Sequence, residues 1–437
     1  MRSAVKYLLA LAAAGLFAAG CDWRDFDTLQ NQVPVERVDA PSGFQSTSDF
    51  ATAVLPVAPP ADGSAAAWFL ASGSENLGLA LVKVDPAGNT SGQTLSGTAL
   101  DNLAGNPITA LAEIPGTGTA LLGAPTSFNP LVTVTLATAT VSAFTPTSAT
   151  AGSENLFGDG VAVGTLTGAA SPDYVVTSQT SIHVFVDGAT TDIVPGASDL
   201  AACPIALSSS LVGNFKATRA VVIGNLLGSG PVIAVGTPGV GAAGTVSFFN
   251  VASGAVTCAG VLDAPALSGT TINLGFGGAL AVGDFDGDGA ADLLVGAPPH
   301  AVYLYKGPLT LSGAAPTATI SPPLGSAEFG AALAAMNIDG KTGDEALIGD
   351  PGATVDNQTG AGNVTIYTGP KLADMLTPTA VLTDHDLSAG EAYGGSIDAL
   401  PFCATPPCAS PPRLPLVGAP AHAFIYFTLG PTDPRSR

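Results

Sequence analysis

Short apolar runs alternate with polar turns along most of the chain. The clearest stretch, residues 276–305, has the sequence FGGALAVGDFDGDGAADLLVGAPPHAVYLY. Its apolar runs are too short for buried helices, and Gly, Asp and Pro bound them, which is typical of β-strands. The stretch therefore predicts a strand, a tight polar loop, a second strand, a turn and a third strand.

This strand–loop–strand unit recurs along the chain. The second strand of each copy ends at a comparable point, at intervals of 50 to 69 residues: Gly73, Gly123, Thr177, Gly236, Gly296, Gly349 and Gly418. A four-stranded propeller blade needs about that length, and seven blades close a ring without open edges. A β-solenoid or a stack of small sandwiches is the alternative, but solenoid repeats are usually shorter and sandwiches do not repeat one loop motif.

We therefore predict an all-β fold, a seven-bladed β-propeller over residues 49–428, with a C-terminal tail at 429–437. The repeat copies place the blades near 49–88, 106–138, 157–190, 217–252, 276–307, 329–368 and 393–428.

The N-terminus predicts export. Residues 1–20 combine a short basic segment with an apolar run, and Cys21 follows Ala-Ala-Gly, which resembles a bacterial lipobox. The expectation is a lipoprotein signal peptide, lipidation at Cys21 and a flexible tether over 21–48. A plain secretory signal is the alternative. We expect the cell envelope, with the outer membrane or cell surface favoured over the inner membrane.

The composition limits the classes of partner that the protein is expected to bind. The 437 residues include 54 Gly and 35 Pro, and the formal net charge is −21. Abundant Gly and Pro suit many strands joined by tight turns. A strongly acidic surface repels nucleic acid and anionic lipid, so we expect no nucleic-acid partner, and membrane contact only through the N-terminal lipid. Solubility alone is another explanation of the charge.

Four acids lie within the loop of the clearest copy: Asp284, Asp286, Asp288 and Asp292. Calcium takes six to eight oxygen ligands, and alternate carboxylates in a tight Gly-containing loop can supply them. An EF-hand is excluded because position 12 is Val295 rather than Glu. A solvated Asp/Gly turn is the alternative, but four neighbouring acids repel one another without a cation. We predict Ca²⁺ as the cofactor and no small-molecule cofactor.

The Phe-Gly start, the acidic loop and the Gly-Ala-Pro end resemble FG-GAP repeats, which build the propeller of integrin α subunits. The resemblance is strong at 276–305, good at 329–367 and weaker elsewhere within 49–428. It implies the main-chain oxygen of Ala290 as a further calcium ligand. It also implies a weaker second site at 337–345, where Lys341 replaces a carboxylate, with these ligands: Asn337, Asp339 and Glu345.

The same resemblance implies that the Gly-Ala-Pro turns lie on the face opposite the calcium loops, where family members bind ligands. His300 and His422 follow two of these turns at matching offsets, so both are ligand-face candidates, unless they are unrelated loop residues. His183 is expected to be only a strand residue.

Four cysteines remain after Cys21, and an even count in an exported chain suggests disulfides. Three pairings can be formed. We favour Cys403–Cys408 closing a Pro-rich loop and Cys203–Cys258 flanking one repeat. No His stands at ligand spacing beside them, which disfavours zinc.

No Gly-x-Ser-x-Gly elbow, His-Glu-x-x-His motif or phosphate-binding loop is present, so catalysis is not expected. The favoured function is a binding or adhesion module for a protein or glycan. The alternatives are a structural lipoprotein of an envelope assembly and, less favoured, a propeller hydrolase or lyase. The fold alone does not decide among them.

Overall fold

The computed structural model is almost entirely β. It describes residues 35–44, 50–59, 65–73, 78–103, 108, 110–125, 131–147, 154–168, 171–205, 220–239, 243–266, 275–367, 378–384, 386, 388–403 and 412–427. These residues form seven antiparallel sheets, arranged as the seven blades of a β-propeller. Among them, no helix combines the length and hydropathy needed to cross a bilayer.

In blades 1 to 6 the strands follow chain order from the innermost to the outermost. Blade 1 consists of β2 (Ala53–Val57), β3 (Ala67–Ser72), β4 (Leu79–Val84) and β5 (Thr90–Thr94). After helix α1 (Thr98–Asp101), blade 2 consists of β6 (Ala110–Ile114), β7 (Thr119–Gly123), β8 (Leu131–Thr135) and β9 (Thr140–Ala143). Blade 3 has three strands, β10 (Val161–Gly164), β11 (Asp173–Thr177) and β12 (Ile182–Phe185).

A 3-10 turn (Val186–Gly188) and helix α2 (Ala197–Ala202) follow blade 3. Blade 4 consists of β13 (Val221–Gly224), β14 (Val232–Thr237), β15 (Thr245–Ala252) and β16 (Ala255–Asp263). Blade 5 consists of β17 (Ala279–Gly283), β18 (Asp292–Ala297), β19 (Ala301–Tyr305) and β20 (Ala318–Ile320). Blade 6 consists of β21 (Ala332–Met336), β22 (Glu345–Asp350), β23 (Asn363–Tyr367) and β24 (Ala380–Leu382).

Blade 7 closes the ring with a strand from the start of the described chain. Its inner strands are β25 (Ser396–Pro401), β26 (Arg413–Gly418) and β27 (His422–Tyr426), and its outer strand is β1 (Val35–Asp39), which pairs antiparallel with β27. The innermost strands of successive blades contact one another around the ring, and β25 contacts β2.

Two details differ from the sequence-based expectations. We expected a flexible tether over 21–48, but residues 35–39 of that segment form β1, because Val38 is buried in the core between blades 7 and 1. The predicted blades also stop short of their outer strands. The outer strand β5 lies beyond 49–88, and its sequence Thr-Ser-Gly-Gln-Thr has no apolar residue that would reveal a strand.

The hydrophobic core is divided among the spaces between neighbouring blades. Successive side chains of a strand point to opposite faces. In β18, Leu293 packs in the core shared with blade 4, whereas Leu294 packs in the core shared with blade 6. Because both faces of each blade are buried, the middle strands have continuous apolar runs. The aromatic that opens a repeat is almost fully buried in each of five copies: Phe50, Phe157, Phe276, Phe329 and Tyr393.

The glycine of the Gly-Ala-Pro motif lets adjacent blades approach closely. A Cβ atom added at Gly296 would lie only 2.3 Å from the main-chain oxygen of Gly330, the glycine that opens the next blade. The same contact recurs between Gly236 and Gly277, and between Gly349 and Gly394. The Phe-Gly and Gly-Ala-Pro ends of the motif are therefore the two halves of one contact between blades.

Candidate metal centre

The acidic loop 284–292 joins β17 to β18. Gly287 and Gly289 adopt φ values of +74° and +82°, which favour glycine, and so they allow the chain to turn tightly between the acids. Because the strands of a blade are antiparallel, loops after the first strand and turns after the second strand lie on opposite faces of the propeller. We call these two faces the loop face and the turn face.

Three carboxylates of the loop converge. Oxygen atoms of Asp284, Asp286 and Asp292 all lie within 4.8 Å of one another. Main-chain amides hold Asp284 in place, since the N–H groups of Asp288 and Gly289 donate to its carboxylate at 3.0 and 2.9 Å. Hard oxygen donors in a Gly-containing loop are the ligands that Ca²⁺ prefers. The donor set therefore fits a calcium ion.

Asp292 is buried and has a second role in the loop. Its carboxylate accepts hydrogen bonds from the amides of Phe285 (2.9 Å) and Gly307 (2.8 Å), so it joins the loop to the segment after β19. Burial raises the pKa of Asp292 to about 6, and repulsion from Asp286 and Asp288 adds to the increase. A cation at the loop would offset that repulsion.

Lys306, the residue after β19, reaches the same loop. Its ammonium group donates to Asp286 and lies 2.9 Å from Asp288 Oδ2. The hydrogen bond from Lys306 lowers the pKa of Asp288, and the hydrogen bonds to Asp286 and Asp288 raise the pKa of Lys306. The other carboxylate oxygen of Asp288 also accepts a hydrogen bond, since the N–H of Ala290 donates to Asp288 Oδ1 at 2.8 Å. Sequence reasoning missed Lys306, because it lies outside the loop motif.

The loop is also tied to its counterpart in blade 6. The amide of Asp284 donates to Asp344 Oδ2 at 2.9 Å, and the amide of Asp344 donates to the main-chain oxygen of Asp284 at 2.7 Å. An ion that fixes Asp284 would therefore also stiffen the contact between blades 5 and 6.

The counterpart loop 337–345 contains an ion pair and several side-chain to main-chain hydrogen bonds. Lys341 Nζ lies 2.7 Å from Asp339 Oδ2, and the side-chain amide of Asn337 donates to the main-chain oxygen of Gly343 at 2.8 Å. Glu345 accepts from the amide of Ile338 at 2.6 Å, and burial raises its pKa to about 7. Within the described residues, only loop 284–292 brings three metal-ligating side chains together. The second calcium site stays a prediction.

In blade 3, the loop before β11 keeps only the last acid. Asp173 is fully buried and accepts from the amides of Leu166 (2.7 Å), Thr167 (3.0 Å) and Asp187 (2.8 Å). These donors correspond to those of Asp292. The last acid of the motif therefore has a structural role that does not depend on a metal.

The two ligand-face candidates lie on the turn face but in different blades. His300 is partly exposed in the turn between β18 and β19, where its amide donates to the main-chain oxygen of Ala297 at 2.7 Å. His422 begins β27, and its Nδ1 lies 2.9 Å from Asp39 Oδ1 on β1. Blade 6 separates them, and the structure records no contact between them. His422 thus contributes to ring closure.

The cysteines follow the favoured pairing in part. Cys203 and Cys258 form a disulfide that links the end of α2 to β16, as predicted. Cys403 is disulfide-bonded, and its partner lies outside the described residues, as do Cys408 and Cys21.

Comparison with known proteins supports the motif analysis. Residues 276–305 match the family model described as FG-GAP repeat. No curated protein matches the sequence. Among solved structures, one similar chain comes from the crystal structure of BBS1N in complex with ARL6DN, soaked with lead. That chain is 11% identical with a TM-score of 0.48, and the match covers 90% of this chain and 98% of the other. The chain thus contains an FG-GAP repeat within a seven-bladed β-propeller.

Proposed function

We propose that this protein is an exported, lipid-anchored propeller that binds Ca²⁺ in loop 284–292 and acts as a binding or adhesion module for a protein or glycan. The observation that carries the proposal is the convergence of Asp284, Asp286 and Asp292 in a loop of a closed propeller. The signal-like segment 1–20 and Cys21 support export and lipidation.

In this proposal the calcium ion has a structural role. Asp284, Asp286, Asp288 and Asp292 supply carboxylate oxygens, and Ala290 supplies a main-chain oxygen. Bound Ca²⁺ neutralises the negative charge of the loop. Because the amide of Asp284 donates to Asp344, an ordered Asp284 also stabilises the contact with blade 6. A rigid propeller then presents its turns at little entropic cost on binding.

The partner is proposed to bind the turn face, away from the metal. That face carries His300, whose side chain is partly exposed. The turns on this face are built mainly from Gly, Ala, Pro and Thr. This favours binding over catalysis.

A thermal melt tests the metal site first. The wild type and Asp286→Ala are compared in Ca²⁺ and in a chelator, with Asp263→Ala as the control because Asp263 is an exposed aspartate at the end of β16. At free Ca²⁺ one hundred times above Kd, the wild type should gain about 2.7 kcal/mol. Asp286→Ala should lose that gain, and Asp263→Ala should keep it.

A wild type whose melting temperature is the same in Ca²⁺ and in chelator would remove the metal from the proposal. The binding role is then tested separately, by applying Ca²⁺-loaded protein to arrays of purified envelope glycans and surface proteins. Retention that His300→Glu abolishes, while Asp263→Ala does not, supports a partner on the turn face. Absence of any retention favours a structural envelope lipoprotein.

A further inference from the structure

Blade 3 holds a buried histidine between two carboxylates, on the turn face and away from the acidic loop. The His183 side chain on β12 has no solvent exposure. Its Nδ1 atom lies 2.6 Å from Asp192 Oδ2, and its Nε2 atom lies 3.5 Å from Glu154 Oε2. The two acids come from the segments before β10 and after β12, so the fold brings three distant positions together.

The contact with Asp192 decides how His183 can act. An ionised carboxylate only accepts hydrogen bonds, so Nδ1 carries the proton and Nε2 of the neutral ring is left with a lone pair. Among the described residues, Nε2 is buried and has no hydrogen-bond partner. A histidine held through Nδ1 by a carboxylate, with Nε2 available, is the arrangement found for metal-ligating histidines.

The atom that faces Nε2 is itself an acceptor. A lone pair of Nε2 and a carboxylate oxygen of Glu154 repel each other at 3.5 Å unless a proton or a metal ion lies between them. Two ligands that are each about 2.0–2.2 Å from a tetrahedral zinc ion are separated by about 3.3–3.6 Å. The observed separation falls within that range, so the spacing of the two atoms is compatible with one ion bound to both.

The second ligand is also oriented. The hydroxyl group of Ser178 donates a hydrogen bond to Glu154 Oε2. The ring of Phe157 packs edge-on against His183, with centroids 4.8 Å apart, and fixes the imidazole plane. The Glu154 side chain is 28% exposed, whereas that of Asp192 is 1% exposed. Within the described residues, the pair is therefore more open to solvent on the Glu154 side than on the Asp192 side.

We propose that His183 Nε2 and Glu154 Oε2 bind a divalent transition-metal ion of the Zn²⁺ class. Asp192 and Ser178 are positioning residues, and water completes the coordination on the exposed side. The mixed nitrogen and oxygen donor set distinguishes this site from the all-oxygen loop 284–292, which suits Ca²⁺. The proposal does not depend on calcium binding or on the lipid anchor.

The test uses Asp286→Ala as the background, so that loop 284–292 does not contribute. Co²⁺ and Zn²⁺ are titrated into this protein, with binding followed by calorimetry and by Co²⁺ absorption. We expect one ion per chain. Adding His183→Gln or Glu154→Gln should abolish binding, and Asp192→Asn should weaken it by about tenfold or more. His300→Gln, which removes a histidine from a turn of blade 5, is the matched control and should bind normally.

Binding that survives His183→Gln, or the absence of binding in the background protein, would overturn the proposal. In the latter case a protonated His183 alone bridges the two carboxylates. Because His183 is buried, its variant is also melted without metal to check folding. X-ray absorption of the zinc complex with the native site provides a measurement without a buried variant: one imidazole among oxygen ligands is expected, and a spectrum without imidazole contradicts the proposal.

Discussion

Blades 5 and 3 share a fold and one buried acid, but they differ in almost everything else that the repeat motif encodes. Blade 5 has four strands, a converging acidic loop and Gly296 at the contact with the next blade. Blade 3 has three strands and Thr177 at the equivalent point. The Thr177 hydroxyl donates to Asp159, a contact that a glycine could not make.

The comparison separates two functions within one motif. Asp292 and Asp173 bind equivalent main-chain amides, so this acid holds a blade together whether or not the loop carries other acids. The acids at 284, 286 and 288 have no counterpart in the blade 3 loop, where the equivalent positions are Thr165, Thr167 and Ala169, and under the proposed function they bind the metal. A repeat can therefore lack the other acids of the loop and keep its fold.

The largest expected effect concerns the close contact between blades. Gly296→Ala should destabilise the protein by about 3 kcal/mol, because the new Cβ atom overlaps the main-chain oxygen of Gly330 and the blades cannot separate without opening a core. Urea unfolding at fixed Ca²⁺ measures the change. Gly395→Ala is the control, since its Cβ atom would make only ordinary contacts. Equal stability of the two variants would show that the blades adjust freely.

A smaller effect is expected for the shared acid. Asp173→Ala leaves the amides of Leu166, Thr167 and Asp187 without their acceptor, which should cost about 2 kcal/mol in or out of Ca²⁺. Asp292→Ala should show a similar loss in chelator and, in addition, no response to Ca²⁺. Unfolding curves in both conditions measure this, with the exposed Asp101→Ala as control. A calcium-dependent Asp173 variant would contradict the division of roles.

The smallest effect concerns the lysine at the metal loop. The ammonium group of Lys306 competes with Ca²⁺ for Asp286 and Asp288, so Lys306→Met should tighten calcium binding by about two- to fivefold. Lys341→Met is the matched control, because Lys341 pairs with Asp339 inside loop 337–345. Calorimetry compares the affinities. Unchanged or weaker binding in Lys306→Met would show that the lysine does not oppose the ion.

The sequence predicted the propeller because its evidence is local. Every blade has apolar runs of strand length, several have an aromatic-Gly start or a Gly-Ala-Pro end, and these patterns repeat at blade length. The converging carboxylates of loop 284–292 could also be predicted from the sequence, because all of them lie within nine residues of one another.

The remaining features depend on contacts between distant segments. Lys306 reaches the acidic loop only because β19 pairs with β18, and Asp344 comes from another blade. The partners of His183 could not be predicted either, because Glu154 and Asp192 lie outside the strand pattern. Only the folded blade brings them to the His183 imidazole. The outer strands β1 and β5 were missed because polar side chains interrupt their patterns.

The pairing of β1 with β27 also has a mechanical consequence. The chain before Val35 joins the propeller through the strand that closes the ring, and Val35 is paired with Tyr426 at the first position of that strand. A pulling force transmitted from an attachment at Cys21 would act first on this pair and then on each following pair, up to Asp39 and His422. If Cys21 is anchored as proposed, tension on the anchor would therefore act on the strand pairing that closes the ring.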